Sequence, residues 1–441
     1  MRVMIIGSGA REHAISKVYE KSSLVEEILV TPGNDFMIYN RDKPVAIDKN
    51  CSLNDPNSFL DLATKYSPDL IDVAQDDAIA NGAVNLLQQN GFDVFGPTQA
   101  ASRIEWDKAW SREFMRRYGI PSPAYEIFND YWQASDYVEG LYRVDKSKPL
   151  YIKASGLCGG KGALLATSFK SALRAIKEMS DIGKAGETFL IEEGLIGEEF
   201  SYFAVTDGTT CRFFSSSRDY KRLFINDNGP QTGGMGAISP TLITKGLEEY
   251  IEQELLQKTV DGLRQEGTPF VGILYLGGII TRDQKIKVIE YNARWGDPEC
   301  QAVLPGLKTD YGEVVLASLE GRLDEIDLSF NDKVRVCVVG AVKGYPHDYS
   351  DYIGKKIFGI NNARRVKGVQ VFGAGMECSF NSLTANGGRL FSVVGEGEDI
   401  VHARKRAYEA ITKIDVEKGN LQYRMDIGQK DQLLYLRTPK F

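Results

Sequence analysis

The run Val288-Ile289-Glu290-Tyr291-Asn292-Ala293-Arg294-Trp295-Gly296-Asp297-Pro298-Glu299 sets polar residues at alternate positions behind an apolar start and closes on a Gly-Asp-Pro turn. Side chains on a strand alternate between faces, so Glu290, Asn292 and Arg294 project from one side. A carboxylate and an amide oxygen together are hard ligands suited to Mg²⁺ carrying nucleotide phosphates. The planar fork of Arg294 beside them suits a phosphoryl group or a carboxylate. The plainer reading is an exposed strand face with a local ion pair. Val288, Ile289 and the sharp turn argue against full exposure.

Working outward, Phe270 to Ile280 and Ile286 to Tyr291 read as paired strands behind a helix at Leu247 to Leu263. Further upstream, Leu150 to Ala154, Ala163 to Ala166, Thr188 to Glu193, Phe200 to Thr206 and Cys211 to Ser215 read as antiparallel-like strands around a helix at Lys170 to Met179. That mixture is an α+β module. The first hundred residues differ. Val3 to Ile6, Ile28 to Val30, Asp69 to Ala74 and Phe92 to Phe95 alternate with helical patterns at Ala14 to Tyr19 and Ala83 to Leu87. This alternation predicts an open parallel α/β sheet with its ligand at the carboxyl ends of the strands. A helix from Asp107 to Tyr118, capped by Asp107 and stopped by Gly119-Ile120-Pro121, follows at a domain junction. Strands at Val334 to Val342 and Val369 to Phe372 with a helix at Ala403 to Ile411 form a last unit. The 441 residues thus divide into about three domains.

Three other segments carry chemistry. Gly7-Ser8-Gly9-Ala10-Arg11-Glu12-His13 joins a strand to a helix, where free N-H groups and the helix dipole attract an anion. A dinucleotide fingerprint needs a third glycine where Glu12 stands, and the second strand runs into Thr31-Pro32-Gly33-Asn34 without a ribose-binding acid, so NAD is disfavoured and a phosphorylated small molecule preferred. Lys153-Ala154-Ser155-Gly156-Leu157-Cys158-Gly159-Gly160-Lys161-Gly162 places two lysines around a glycine turn, a pattern for nucleotide phosphates that is not a Walker loop. Arg218 to Arg222 and the glycine loop Gly229 to Gly236 pair a basic cluster with a segment able to close over a reactive intermediate. His13 reads as a hydrogen-bonding group at the helix start and Cys158 as a loop filler.

Composition narrows the classes. Lys plus Arg number 53 against 60 Asp plus Glu, a net charge of −7, which argues against non-specific binding to nucleic acid or an anionic membrane. The start shows no secretion segment and no run of 18 apolar residues occurs, so a cytoplasmic protein is expected. Six cysteines without a C-x-x-C pair read as free thiols, and three scattered histidines do not suggest a metal centre.

Taken together, the glycine loop at 229–236 and the run I-E-Y-N-A-R-W-G-D-P-E at 289–299 resemble the ATP-grasp enzymes, and within them the glycinamide ribonucleotide synthetase family. The likeness extends from Gly7-Ser8-Gly9 to Gly387-Gly388-Arg389 and Tyr423 to Gly428. It implies an N-terminal parallel α/β domain over 1–103, an ATP-grasp fold over 104–329 with a small lid at about 120–195, and a C-terminal α+β domain over 330–441. The activity implied is ATP-dependent ligation of glycine to 5-phosphoribosylamine through a glycyl phosphate, giving glycinamide ribonucleotide, ADP and phosphate. The alternative is another ATP-grasp carboxylate-amine ligase. By the same resemblance ATP falls to Lys108, Lys153, Lys161, Glu192, Glu193, Leu195 and Glu199, and Mg²⁺ or Mn²⁺ to Glu290 and Asn292. The substrates fall to Gly9, Arg11, Gly33, Asn34, Asp219, Gly233 and Gly234, with Arg294, Asp297 and Lys221 catalytic. Partners are expected to be small molecules only, the chain acting as a monomer or weak homodimer. One departure stands out. Val73-Ala74-Gln75-Asp76-Asp77-Ala78-Ile79 occupies the place of the family's G-P-E-x-P-L.

Overall fold

Strand β1 (Arg2–Gly7) is flanked in parallel by β2 (Glu27–Pro32) and β4 (Leu70–Val73), and β3 (Val45–Ile47) and β5 (Val94–Phe95) complete a sheet of order 3-2-1-4-5. Val3, Met4, Ile5 and Ile6 are all fully buried, as expected of a strand covered on both faces. Helix α1 (Ala10–Lys21) covers one face and the helices Pro56–Tyr66 and Ala83–Gln89 the other. The strand order reverses at β1, with β2 on one side and β4 on the other, which puts a crevice at its carboxyl end, beside Gly7 and Gly9. The computed structural model describes residues 1–39, 41–158, 162–379 and 382–437.

Under this sheet, the Tyr19 hydroxyl donates to Asp72 Oδ2 at 2.9 Å. Burial pushes the Asp72 carboxyl up to about 7, more than the Tyr19 bond lowers it. An acid raised in the folded state contributes stability that is complete below the ordinary carboxylate pKa and is lost as pH rises through about 7. Asp72→Asn should therefore stabilise the protein on the order of 3 kcal/mol at pH 8 and much less at pH 4.5. Urea midpoints at the two pH values check this, and a pH-independent gain would contradict it.

The middle of the chain holds two antiparallel sheets. Strands β6 (Tyr125–Phe128), β7 (Leu150–Ala154), β8 (Ala163–Ala166) and β9 (Phe189–Glu193) lie in the order 6-9-7-8, packed by helices Tyr131–Val144 and Phe169–Asp181. The helix at 131–144 and the strand at 125–128 went unread in the sequence. The second sheet joins Gly197–Asp207, Cys211–Phe213, Val271–Thr281 and Ile286–Asn292, a strand shorter by two residues at Ser215 than expected. The helix expected at 247–263 contains a π-helical stretch, Tyr250–Gln257, before its α-helical end Lys258–Gln265.

In the third region, Val334–Val342, Arg389–Gly397 and Val369–Gly373 share a sheet with two strands from much earlier in the chain, Arg218–Asp219 and Gly236–Ser239. Helix Ile400–Ile411 covers it, its Asp399 cap accepting from His402 N. The segment on either side of the glycine loop is therefore built into the last sheet, which draws that loop and Arg389 together. Among the described residues, no helix is long and apolar enough to cross a membrane.

Candidate active site

The strand Ile286–Asn292 pairs with Val271–Thr281 so that Glu290 faces Gly277 and Asn292 faces Tyr275, with a register shift between Gly277 and Gly278. Simple alternation would put Val288 on the side of Glu290. The bulge resets that parity, so Val288 and Tyr291 both enter the core while Glu290 and Asn292 line a cleft of about 530 Å³. Arg294, past the end of the strand, lines it too. Lys221 Nζ stands 3.3 Å from Glu290 Oε1 and 4.0 Å from Glu199 Oε2. Burial alone would raise the Glu290 carboxyl, but Lys221, Lys153 and Lys108 hold it down to about 2. Burial likewise disfavours a charged Lys221, and the carboxylates of Glu290 and Glu199 outweigh it, lifting its ammonium well above the ordinary range.

The anion that a lysine within β7 requires is supplied by the protein: Lys153 Nζ lies 2.7 Å from Glu192 Oε2. Arg112 grips the same carboxylate with Nε at 2.6 Å and Nη2 at 3.1 Å. Burial opposes ionisation of Glu192, and the two cations override it, bringing it to about 2. Lys108 opens helix Lys108–Arg117, whose cap Asp107 accepts from Trp110 N at 3.0 Å and from the Ser155 hydroxyl at 2.9 Å. Lys108 N also donates to Ser155 O at 3.0 Å, so the helix start and the glycine turn after Lys153 are stapled together. Lys161, with Gly159 and Gly160, lies outside the described residues. Glu193 accepts from Ala124 N at 2.9 Å and pairs with Lys287, and neither it nor Leu195 or Glu199 lines the cleft.

At the amino-terminal end, Gly7 holds φ +146° and a Cβ there would meet Glu12 Cγ at 2.3 Å. The room is needed because Glu12 folds back, accepting from Gly9 N at 2.7 Å and from Arg11 Nε at 2.6 Å. Arg11 donates further to Trp295 O at 3.0 Å and to Gln75 Oε1. Gly9 and Arg11 line the cleft; Gly33 and Asn34 do not. The Asn34 amide donates to Ser8 O at 2.7 Å and Gly373 O at 3.0 Å, tying the first domain to the last. Arg294 Nη2 lies 2.8 Å from Glu105 and 3.5 Å from Asp76.

At the other end of the cleft, Arg389 Nη1 donates to Gly233 O at 2.8 Å and to Asp297 O at 2.9 Å, and Tyr345 accepts from Gly233 N at 3.0 Å. Gly234, at φ +110°, sits so close to Pro298 and Asp219 that a Cβ would lie 2.5 Å from the first and 2.9 Å from the second. Glu299 accepts from the Tyr275 hydroxyl at 2.7 Å. Asp219 Oδ1 and Arg294 Nε are buried with no hydrogen-bond partner among the described residues. Burial, then Glu299, pushes the Asp219 carboxyl well above the usual range.

Sequence reasoning missed Glu105, Arg112, Asp76, Tyr275, Glu299 and Arg389 as cleft residues. Lys108 and Arg112 lie four residues apart on one helix, a signal that was available, whereas Glu105 lies on the separate short helix Arg103–Trp106, before the extended Asp107. Arg389 reaches the cleft from nearly a hundred residues away in sequence and carries no local signal.

Three domain families described as phosphoribosylglycinamide synthetase match in order: the N domain over 1–105, the ATP-grasp (A) domain over 106–300 and the C domain over 335–430. Phosphoribosylamine–glycine ligase of Chlorobaculum tepidum is 39% identical over 98% of this chain and 100% of its own length. The enzyme of that name from Caldanaerobacter subterraneus is 36% identical over 97% of this chain and 99% of its own. The crystal structure of phosphoribosylamine–glycine ligase from Thermotoga maritima superposes with a TM-score of 0.79 at 30% identity, covering 97% of this chain and all of the other. A biotin carboxylase domain from Hydrogenobacter thermophilus, at 16% identity and a TM-score of 0.70, shares the fold over 96% of this chain and 91% of its own. The chain belongs to the phosphoribosylglycinamide synthetase family.

Proposed function

We propose that this cleft ligates glycine to 5-phosphoribosylamine at the cost of ATP, with Mg²⁺ or Mn²⁺, in the cytoplasm, giving glycinamide ribonucleotide, ADP and phosphate. The observation that carries the reading is one cavity lined from all three family domains: Gly9 and Arg11 from the first, Lys108, Lys153, Glu290 and Asn292 from the second, Arg389 from the third. Full-length likeness to enzymes named for this ligation favours it over another carboxylate-amine ligase.

Glycine's carboxylate is a poor electrophile, so one of its oxygens attacks the terminal phosphorus of ATP and ADP departs. The amine nitrogen of phosphoribosylamine then attacks the carbonyl carbon of glycyl phosphate, the C–O bond to phosphate breaks, and the nitrogen loses a proton. Lys108 and Lys153 line the wall that takes the nucleotide phosphates, and the segment from Glu193 through Leu195 to Glu199, outside the cleft lining but joined to it where Glu199 lies 4.0 Å from Lys221, takes the adenosine. The donor set fits the metal: the Glu290 carboxylate, ionised at neutral pH, and the Asn292 amide share one face and would hold it. When bound with ATP, that cation neutralises charge on the transferring phosphoryl group. Arg294 and Asp297, where the Gly-Asp-Pro turn meets the glycine loop, position the carboxylate, and Asp219 accepts a hydrogen bond from the glycine amino group. The loop 229–236, tethered by Arg389 and Tyr345, excludes water from the acyl phosphate. Each of these residues lies on one chain, so a monomer or a weak homodimer suffices.

The test is phosphate release from Mg-ATP with glycine and freshly generated phosphoribosylamine added singly and together. Release that needs both, with the mass of glycinamide ribonucleotide appearing, is expected. Release indifferent to either substrate would overturn the assignment.

A further inference from the structure

Gln75 stands at the turn between β4 and the short helix Asp76–Ala80, and it lines the cleft. Its Oε1 accepts from Arg11 Nη2, while Arg11 Nη1 donates to Trp295 O at 3.0 Å. Gln75, Arg11 and Trp295 thus form a relay joining the β4 turn and helix α1 to the loop that bears Arg294 and Asp297. Asp76, next in sequence, reaches the same loop through Arg294 at 3.5 Å.

Each nitrogen of the Arg11 guanidinium makes one bond, Nε to Glu12, Nη1 to Trp295 and Nη2 to Gln75, which aims the remaining N-H of each Nη atom. Only the last of these partners is a flexible neutral side chain. Remove it and Arg11 keeps two bonds but loses the one that fixes its fork relative to the β4 turn.

We propose that Gln75 is a positioning residue that sets the affinity for the ribose-phosphate substrate by holding Arg11, which itself reaches across the junction of the first and second domains to Trp295 O. The inference rests on the ligase reading for which substrate occupies this end. The ATP wall, at Lys108, Lys153 and Glu290, shares no hydrogen bond with Gln75, so ATP binding is the control.

The experiment compares wild type, Gln75→Ala and Gln75→Glu. Calorimetric titration with ribose 5-phosphate as probe gives affinity without turnover, and steady-state kinetics gives KM for each substrate. Gln75→Ala is expected to weaken ribose 5-phosphate binding and raise the KM for phosphoribosylamine about tenfold, the loss of one charge-assisted hydrogen bond. KM for ATP should stay within about twofold, and KM for glycine, whose loop meets Arg11 only through Trp295 O, should change less than that for phosphoribosylamine. Gln75→Glu, which keeps the acceptor, should restore both values. Equal changes in all three KM values, no change in ribose 5-phosphate affinity, failure of Gln75→Glu to restore it, or no binding of the probe to wild type each overturn the proposal. Ligase turnover of the wild type is read separately, so loss of the ligase reading and loss of the Gln75 role give different results.

Discussion

Glu290→Ala is expected to lower turnover by on the order of 10²- to 10³-fold while the protein still folds. Against burial, the carboxylate is held down to about 2 by Lys221, Lys153 and Lys108, three cations gathered around one acid. Removing it takes away the charged member of the proposed metal pair and leaves those lysines facing one another, so the phosphoryl transfer loses its cation and the nucleotide its register. Glu290 is partly open to the cleft, so its deletion leaves no sealed cavity and no closely packed core to collapse. Circular dichroism together with the phosphate-release rate checks both halves. Wild-type turnover would remove Glu290 from the metal role.

Glu192→Ala should act on stability instead. Its carboxylate is buried between Lys153 at 2.7 Å and Arg112 at 2.6 Å, joining β7 to the helix Lys108–Arg117. Deleting one partner of a buried ionic group typically costs about 3–5 kcal/mol, because the remaining charges stay desolvated. Urea unfolding at neutral pH measures it. A loss below about 1 kcal/mol would mean that water reaches the two cations and that the triad does not organise the wall.

These two acids also show what a linear sequence discloses. That Glu290 and Asn292 share a face follows from strand alternation, and the cleft bears it out. Val288, two residues before Glu290, breaks the same rule, because Ile289 between them is an extra residue with no opposite number at Gly277 and Gly278, a bulge that the residue pattern does not announce. The argument that Lys153 needs an anion was sound physics without an address: the β7 to β9 pairing that brings Glu192 to it is a long-range fact. The parallel sheet at the start was legible, since buried strands read as apolar runs between helical patterns. The helix at 131–144 was not. Asn34 illustrates a limit of another kind: its position at the end of β2 was clear, but its amide bonds Gly373 from the far end of the chain. Arg389 enters the cleft only because Arg218–Asp219 and Gly236–Ser239 fold into the last sheet, a topology no local pattern encodes.

The central claim is that the cleft activates glycine's carboxylate on ATP before the amine attacks. Turnover with glycine labelled by ¹⁸O in its carboxylate follows that atom directly. The account predicts one ¹⁸O in each inorganic phosphate released and one retained in the amide carbonyl of the product. Unlabelled phosphate would contradict it, since the oxygen would then have come from water.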